Sequence, residues 1–166
     1  VGPQMFRAPL APPVAAQHEN RSVDDQLLTD GFEWWQERVE LLLVEGVGGL
    51  LCPLTSTRTI ADFAEWVGFP VLIVATMELG TINHTLLTVE VAQQRGLDVR
   101  GILMNQSHPS QDVSADNQNP NEIARRCDVP VLGVVKWKSQ AELLCPPGTG
   151  TMDLLSLAGE RNVRSR

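Results

Sequence analysis

The sequence is poor in the residues that define several common protein classes. It has only three cysteines among 166 residues, and no two of them form a C-x-x-C pair. An odd number of widely spaced cysteines predicts neither a zinc site nor a disulfide framework. We therefore expect a reducing, cytoplasmic environment. The three are Cys52, Cys127 and Cys145.

Basic residues and long apolar runs are also scarce. Lys and Arg total 13 against 20 Asp and Glu, which gives a net charge of −7 and a pI near 4.9. This balance argues against a nucleic-acid or anionic-membrane surface, since both need clustered Lys and Arg. The longest apolar runs, such as Val71–Ala75, are far too short to span a bilayer. Val1–Gln17 also lacks the charged-then-apolar order of a signal peptide. We expect neither nucleic acid nor membrane as a partner.

Short apolar segments alternate with helical patterns, which predicts an α/β fold. The composition, 43% hydrophobic and 20% charged, is ordinary for a globular chain, and the length fits one domain over 1–166. Continuous apolar strands between helices are typical of a parallel β-sheet with helices on both faces. The predicted strands are 41–44, 71–75, 101–104 and 131–135, and the predicted helices are 23–38, 60–67, 81–95 and 119–127, with a possible short one at 152–158. We expect loops over 1–20, 107–119 and 145–150, and a frayed tail after 159. Ser22, Thr59 and Asn119 are the candidate caps of the first, second and fourth predicted helices, and either Thr81 or Asn83 opens the third. The apolar strand 71–75 is expected to be buried on both faces.

Polar residues follow three of the predicted strands at the point where each strand ends. Glu45 and a glycine-rich turn follow the first, Thr76–Asn83 the second, and Asn105 the third. The carboxyl ends of parallel strands form the ligand-binding edge of open α/β sheets. A carboxylate there is either a Mg²⁺ ligand or a solvated acid. Likewise, Asn105 either reads the edge of a nucleotide base or forms a turn, and the residues alone leave both choices open.

Several blocks of the sequence, in chain order, resemble the dethiobiotin synthetase family. They cover nearly the whole chain up to about Trp137, and the block around Asn83 and His84 is the most specific. The matching segments are Pro9–Gln17, Val44–Gly49 with Pro53–Thr55, Phe69–Val74, Leu79–Thr88 and Gly101–Asn105.

This resemblance implies a P-loop-type three-layer α/β fold and an ATP- and Mg²⁺-dependent cyclo-ligase of biotin biosynthesis. In that reaction diaminopelargonic acid takes up CO₂ as a carbamate, ATP phosphorylates the carbamate, and the second amine closes the ureido ring. The family also implies a homodimer. By position, Glu45 becomes a Mg²⁺ ligand, Thr81, Ile82 and Asn83 contact the substrate across the dimer interface, and the nucleotide contacts are Glu45, Gly46, Val47, Gly48, Asn105, Gln106, Lys136, Trp137 and Lys138.

The chain also departs from the family pattern. The phosphate-binding motif G-x-x-x-x-G-K-[ST] is absent from these residues, as are the family's catalytic Lys and Ser and its second metal-binding Asp. No catalytic residue is therefore assigned, and we expect the chain to be the C-terminal part of a longer protein. Gln106 stands where Asp is usual, which bears on the preference for adenine. Two alternatives remain: a non-catalytic regulatory or interaction domain of this type, or a related cobyrinic-acid-synthase-type enzyme.

Overall fold

The computed structural model describes residues 2–109, 113–138 and 143–144, without the side chains of 113–117 and 143–144. These residues fall into two compact units, Val1–Val67 and a second that begins at Gly68. The expectation of one domain over 1–166 stays a prediction. The expected loop at 145–150, the short helix at 152–158 and the frayed tail lie outside the described residues. Within the described part, no helix is both long and apolar enough to cross a bilayer.

The first unit contains three helices, α1 (Pro12–His18), α2 (Asp25–Gln36) and α3 (Ile60–Val67). The prediction of an extended loop over 1–20 is wrong where α1 forms. Prolines favour a helix start because the first turn needs no N–H donor there, and Ala15 and Ala16 within the helix are buried. The N-cap of α2 is Asp24, not Ser22, and its carboxylate accepts a hydrogen bond from the Leu27 N–H at 3.1 Å.

The cap predicted for α3 is confirmed. Thr59 and Asp62 form a reciprocal capping box. The Thr59 N–H donates to Asp62 Oδ2 at 2.6 Å, and the Asp62 N–H donates to Thr59 Oγ1 at 3.3 Å. The helix start is therefore fixed by side chains three residues apart, which is why the local sequence predicts it correctly.

The predicted first strand, 41–44, is wrong: the segment has no regular secondary structure. A strand exists only where a neighbour pairs with its N–H and C=O groups, and this segment belongs to none of the ladders among the described residues. Leu43 is 77% exposed and Val44 45% exposed. An apolar run alone is thus insufficient to define a strand.

The second unit contains a β-sheet with helices between its parallel strands, which confirms the predicted α/β class with a parallel sheet. Its sheet has the order β1-β2-β3-β4, with the first three strands parallel and β4 antiparallel to β3. The chain order is β1 (Val71–Thr76), α4 (Thr81–Gln94), β2 (Val99–Asn105), α5 (Val113–Ala124), β3 (Val131–Val135) and β4 (Leu143–Leu144). Helix α5 begins six positions before the predicted cap, Asn119, and carries Pro120 inside it. Pro120 therefore does not mark the start of α5. The predicted loop over 107–119 is correspondingly too long.

Helices α4 and α5 contact each other and the sheet, and the core lies between them and the strands. Its buried members are Ile73, Ala75, Val89, Ile102, Met104, Ile123 and Val129. Strand β1 buries every second residue, and Val74 between Ile73 and Ala75 is 62% exposed. The expectation that 71–75 is buried on both faces is therefore wrong for this strand.

Candidate functional site

The carboxyl ends of the three parallel strands lie in register. Thr76 at the end of β1 pairs with Asn105 at the end of β2, and Asn105 pairs with Val135 at the end of β3. The predicted juxtaposition of Thr76 and Asn105 is thus confirmed. The third predicted strand end, at Glu45, lies in the other unit and follows a segment that is not a strand.

A shallow cavity of about 230 Å³ lies at the end of β1. The turn from β1 into α4 forms most of its wall. Helix α5 contributes Asn119, whose side-chain N–H donates to the Met77 carbonyl at 3.4 Å. The lining residues are Met77, Glu78, Leu79, Gly80, Thr81, Ile82 and Asn119.

The residues predicted to contact substrate occupy three different environments in this turn. Thr81 is only 4% exposed, and its hydroxyl donates to the Thr76 carbonyl at 2.6 Å. Ile82 is half-buried against the core, and Asn83 is exposed. Gly80, at φ +96°, is the N-cap of α4, so the helix begins with a glycine in the left-handed region. Two of the three, Thr81 and Ile82, line the cavity.

Two loops meet beside Asn105, one after β2 and one after β3. The Gln106 N–H donates to the Val135 carbonyl at 2.9 Å, and Gln106 Oε1 accepts from the Trp137 N–H at 3.2 Å. Lys138 Nζ lies 5.5 Å from the centre of the Trp137 ring, within cation–π range. The structure thus brings together Asn105, Gln106, Lys136, Trp137 and Lys138, all predicted nucleotide contacts.

Residues that carried no predicted role join this cluster. The His108 ring stacks on Trp137 with centroids 6.1 Å apart and planes 12° apart. His108 Nδ1 lies 3.1 Å from Ser107 Oγ and 3.5 Å from Glu78 Oε1. The signal that sequence reasoning missed is positional: Glu78 follows β1, whereas Ser107 and His108 follow β2, so parallel pairing places them at the same edge.

In the first unit, Glu45 is exposed and opens a glycine-rich loop. Gly48 has φ +73°, and a Cβ built on it would lie 2.9 Å from Cys52 Sγ. Hydrogen bonds attach the loop to the start of α3. The Ile60 N–H donates to the Cys52 carbonyl at 3.0 Å, and the Ala61 N–H donates to the Leu50 carbonyl at 2.8 Å. Close packing, rather than only a flexible turn, therefore explains the glycine at position 48.

A Mg²⁺ ion bound with a nucleotide is usually held by one or two carboxylates together with phosphate oxygens and water. The described residues contain no group of three or more His, Cys, Asp or Glu side chains that could hold a metal ion. Glu45 is an exposed carboxylate, and a glycine follows it directly at position 46. Glu45 can therefore serve as one protein ligand of such an ion. The described residues do not supply enough side chains to surround a metal ion by themselves.

These features define an open α/β domain whose three parallel strands end at one edge of the sheet, the edge at which open α/β sheets bind ligands. The sequence model of a family described as an AAA domain matches residues 2–142. The chain belongs to that family.

Curated proteins similar to this chain are named ATP-dependent dethiobiotin synthetase BioD, as the sequence resemblance predicted. The protein of Anaeromyxobacter sp. (strain K) is 44% identical over 136 residues, which cover 82% of this chain and 60% of the relative. That of Anaeromyxobacter sp. (strain Fw109-5) is 50% identical over 123 residues, covering 74% and 55%. The Bacillus subtilis (strain 168) protein is 39% identical over 134 residues, covering 81% and 58%. The chain therefore spans about 60% of the length of relatives it matches.

Proposed function

We propose that this chain contributes nucleotide- and substrate-binding residues to an ATP-dependent dethiobiotin synthetase. The reaction is the Mg²⁺-dependent carboxylation and ureido ring closure of diaminopelargonic acid. The observation that carries the proposal is the register of strand ends, which aligns the end of β1, where the cavity lies, with Asn105 and the end of β3 along one edge of the sheet. The similarity to proteins that carry this name supports the choice of reaction.

The nucleotide base is proposed to lie at the cluster formed by Asn105 and the loop 136–138. An amide presents both a donor and an acceptor, so Asn105 can pair with the edge of a purine. Trp137 is 41% exposed and offers an aromatic surface, and Lys136 and Lys138 are exposed cations that favour an anionic ligand. A purine base with attached phosphates meets each of these preferences.

The substrate is proposed to lie at the cavity after β1, with contacts from Thr81, Ile82 and Asn83. Because the hydroxyl of Thr81 already donates to a carbonyl of β1, its contribution is to position the turn, while the exposed Asn83 amide is available to a polar group. We also propose a homodimer, with α4 as its candidate face. The 52% exposure of Leu87 on α4 supports this choice.

Glu45 is proposed as a ligand of Mg²⁺, with Gly46, Val47 and Gly48 close to the phosphates and the substrate. The ion would neutralise phosphate charge and so favour transfer to the carbamate oxygen. The residues of the chain contribute the anchoring oxygen and backbone N–H groups. Glycines permit close approach of the backbone to an anion.

The test is dethiobiotin formation by the full-length protein from diaminopelargonic acid, bicarbonate, ATP and Mg²⁺. We expect product formation that depends on both ATP and Mg²⁺. Lack of product together with lack of ATP binding would favour a non-catalytic interaction domain. ATP hydrolysis with other acids, but not this diamine, would favour a cobyrinic-acid-synthase-type enzyme.

The role of Glu45 is tested by Glu45→Gln. Loss of a charged metal ligand is expected to lower kcat at least about tenfold and to raise the Mg²⁺ concentration needed for half-maximal rate. Glu40→Gln is the matched control, because Glu40 is an exposed acid five positions earlier in the same segment. Equal effects of the two substitutions would remove Glu45 from the site.

A further inference from the structure

We propose that Gln106 is a positioning residue: its side-chain carbonyl holds the loop 136–138, and it acts on the nucleotide through that loop rather than by reading the base itself. The inference deepens the proposed function and rests on it. It revises the simpler expectation that Gln106 is a direct nucleotide contact.

The hydrogen bonds of Gln106 make it a clamp between the ends of two strands. Its backbone N–H donates to the Val135 carbonyl at 2.9 Å. Its side chain reaches two residues further along the same loop and accepts from the Trp137 N–H at 3.2 Å. One residue after β2 thus holds the chain that leaves β3 at two points, Val135 and Trp137.

The geometry also defines which atom of the Gln106 amide bonds to Trp137. A backbone N–H only donates, so the group facing Trp137 must be the carbonyl oxygen of the Gln106 side chain. Any side chain of the same length with an acceptor at that position can make the bond. With that oxygen bonded to Trp137, direct reading of a base by Gln106 would fall to the amide N–H₂, which a carboxylate lacks.

The clamped loop carries the groups that face a ligand. The Trp137 ring also stacks on His108, with centroids 6.1 Å apart. His108 in turn lies 3.5 Å from Glu78 Oε1, at the wall of the cavity after β1. The backbone and ring of Trp137 are therefore both attached to the segment 106–108. Releasing the backbone contact is expected to loosen the aromatic surface beside Asn105.

The test compares Gln106→Glu, which keeps the acceptor, with Gln106→Met, which has similar length and no acceptor. Gln94→Met, at the exposed end of α4, is the control for the same chemical change elsewhere. The first measurement is hydrogen exchange of the Trp137 amide in ligand-free full-length protein. We expect exchange about two- to tenfold faster in Gln106→Met, in proportion to one lost hydrogen bond, and near wild type in the other two variants.

The second measurement is ATP affinity of the same proteins. Gln106→Met is expected to weaken binding about two- to tenfold, while Gln106→Glu and Gln94→Met stay close to wild type. Equal weakening in Gln106→Glu and Gln106→Met overturns the inference in favour of base reading by the amide. Unchanged Trp137 exchange in Gln106→Met also overturns it, as does faster exchange with unchanged ATP affinity. If wild type binds no ATP, the proposed function fails, whereas the exchange data still decide whether the clamp exists.

Discussion

Gly48→Ala is the substitution for which the structure gives the clearest expectation in the glycine-rich loop. Gly48 has φ +73°, and an added Cβ would lie 2.9 Å from Cys52 Sγ and 3.1 Å from Cys52 Cβ. Two independent costs follow: an L-residue in the left-handed region, and a contact closer than Cβ atoms normally make. The neighbouring Gly49 has no heavy atom within 4 Å of the same position.

The magnitude follows from adding these costs. A left-handed conformation costs an L-residue about 1–2 kcal/mol, and an inserted methyl in a packed site costs about 1–3 kcal/mol. Replacing glycine by alanine restricts the unfolded chain and returns about 0.4–1 kcal/mol. We therefore expect Gly48→Ala to lower the free energy of unfolding by about 1–5 kcal/mol, with a midpoint of about 3 kcal/mol. Gly49→Ala, which lacks the close contact, is expected to change it by less than about 1 kcal/mol.

The assay is equilibrium denaturation of the full-length protein, with Gly49→Ala as the matched control and Cys52→Ala to divide the cost. Cys52→Ala removes the sulfur and leaves the Cβ, so Gly48→Ala in that background should recover the part of the penalty due to Sγ. A coupling energy above about 0.5 kcal/mol indicates that the two sites interact. Equal stability of the Gly48→Ala and Gly49→Ala variants would refute the reasoning.

Two further predictions concern the second unit. A Cβ on Gly101 in β2 would overlap the Leu132 side chain at Cδ1 and lie 2.6 Å from its Cγ, so Gly101→Ala should destabilise by about 1–3 kcal/mol. A penalty that persists in a Leu132→Ala background would contradict this cause. The hydrogen bond from Arg126, and then that from Arg125, holds the pKa of Glu122 below its ordinary value. The resulting stabilisation is complete above the unfolded pKa of about 4.3 and is lost as pH falls through the lower folded pKa. In denaturation curves, the stability gap to Glu122→Gln should therefore close as the pH is lowered below about 5, and a constant gap would argue against the linkage.

Local chemistry explains which elements the sequence predicted correctly. The start of α3 depends on Thr59 and Asp62, three residues apart, and the end of β1 follows an apolar run that begins just after Pro70. Each signal lies within a few residues of the feature that it sets. Strands β2 and β3 were also predicted, because their apolar runs are bounded by turn residues.

The incorrect predictions depended on partners that the local sequence does not specify. The apolar run at 41–44 satisfies the pattern of a strand, but pairing requires a neighbouring strand, and among the described residues it has none. Val74 is as apolar as its neighbour Ile73, which is buried in the core. Its 62% exposure therefore reflects which face of β1 the helices cover. Prediction from sequence thus succeeded for elements that a few local residues define, and for the strand ends Thr76 and Asn105 that parallel pairing aligns. It failed where pairing or coverage by another element decides the outcome.

Asn105 and Gln106 illustrate the same distinction within the candidate site. They are adjacent in sequence and were both assigned to the nucleotide by resemblance. Asn105 is the last residue of β2, and because side chains alternate along a strand, it lies on the face opposite the buried Met104. Gln106 lies beyond the strand, and its carbonyl oxygen is directed to the chain leaving β3. In the proposed site, a nucleotide base would therefore contact the Asn105 amide, while Gln106 holds the neighbouring loop 136–138 in place. Substituting each residue separately should weaken binding by different routes, with only the Gln106 variant altering Trp137 exchange.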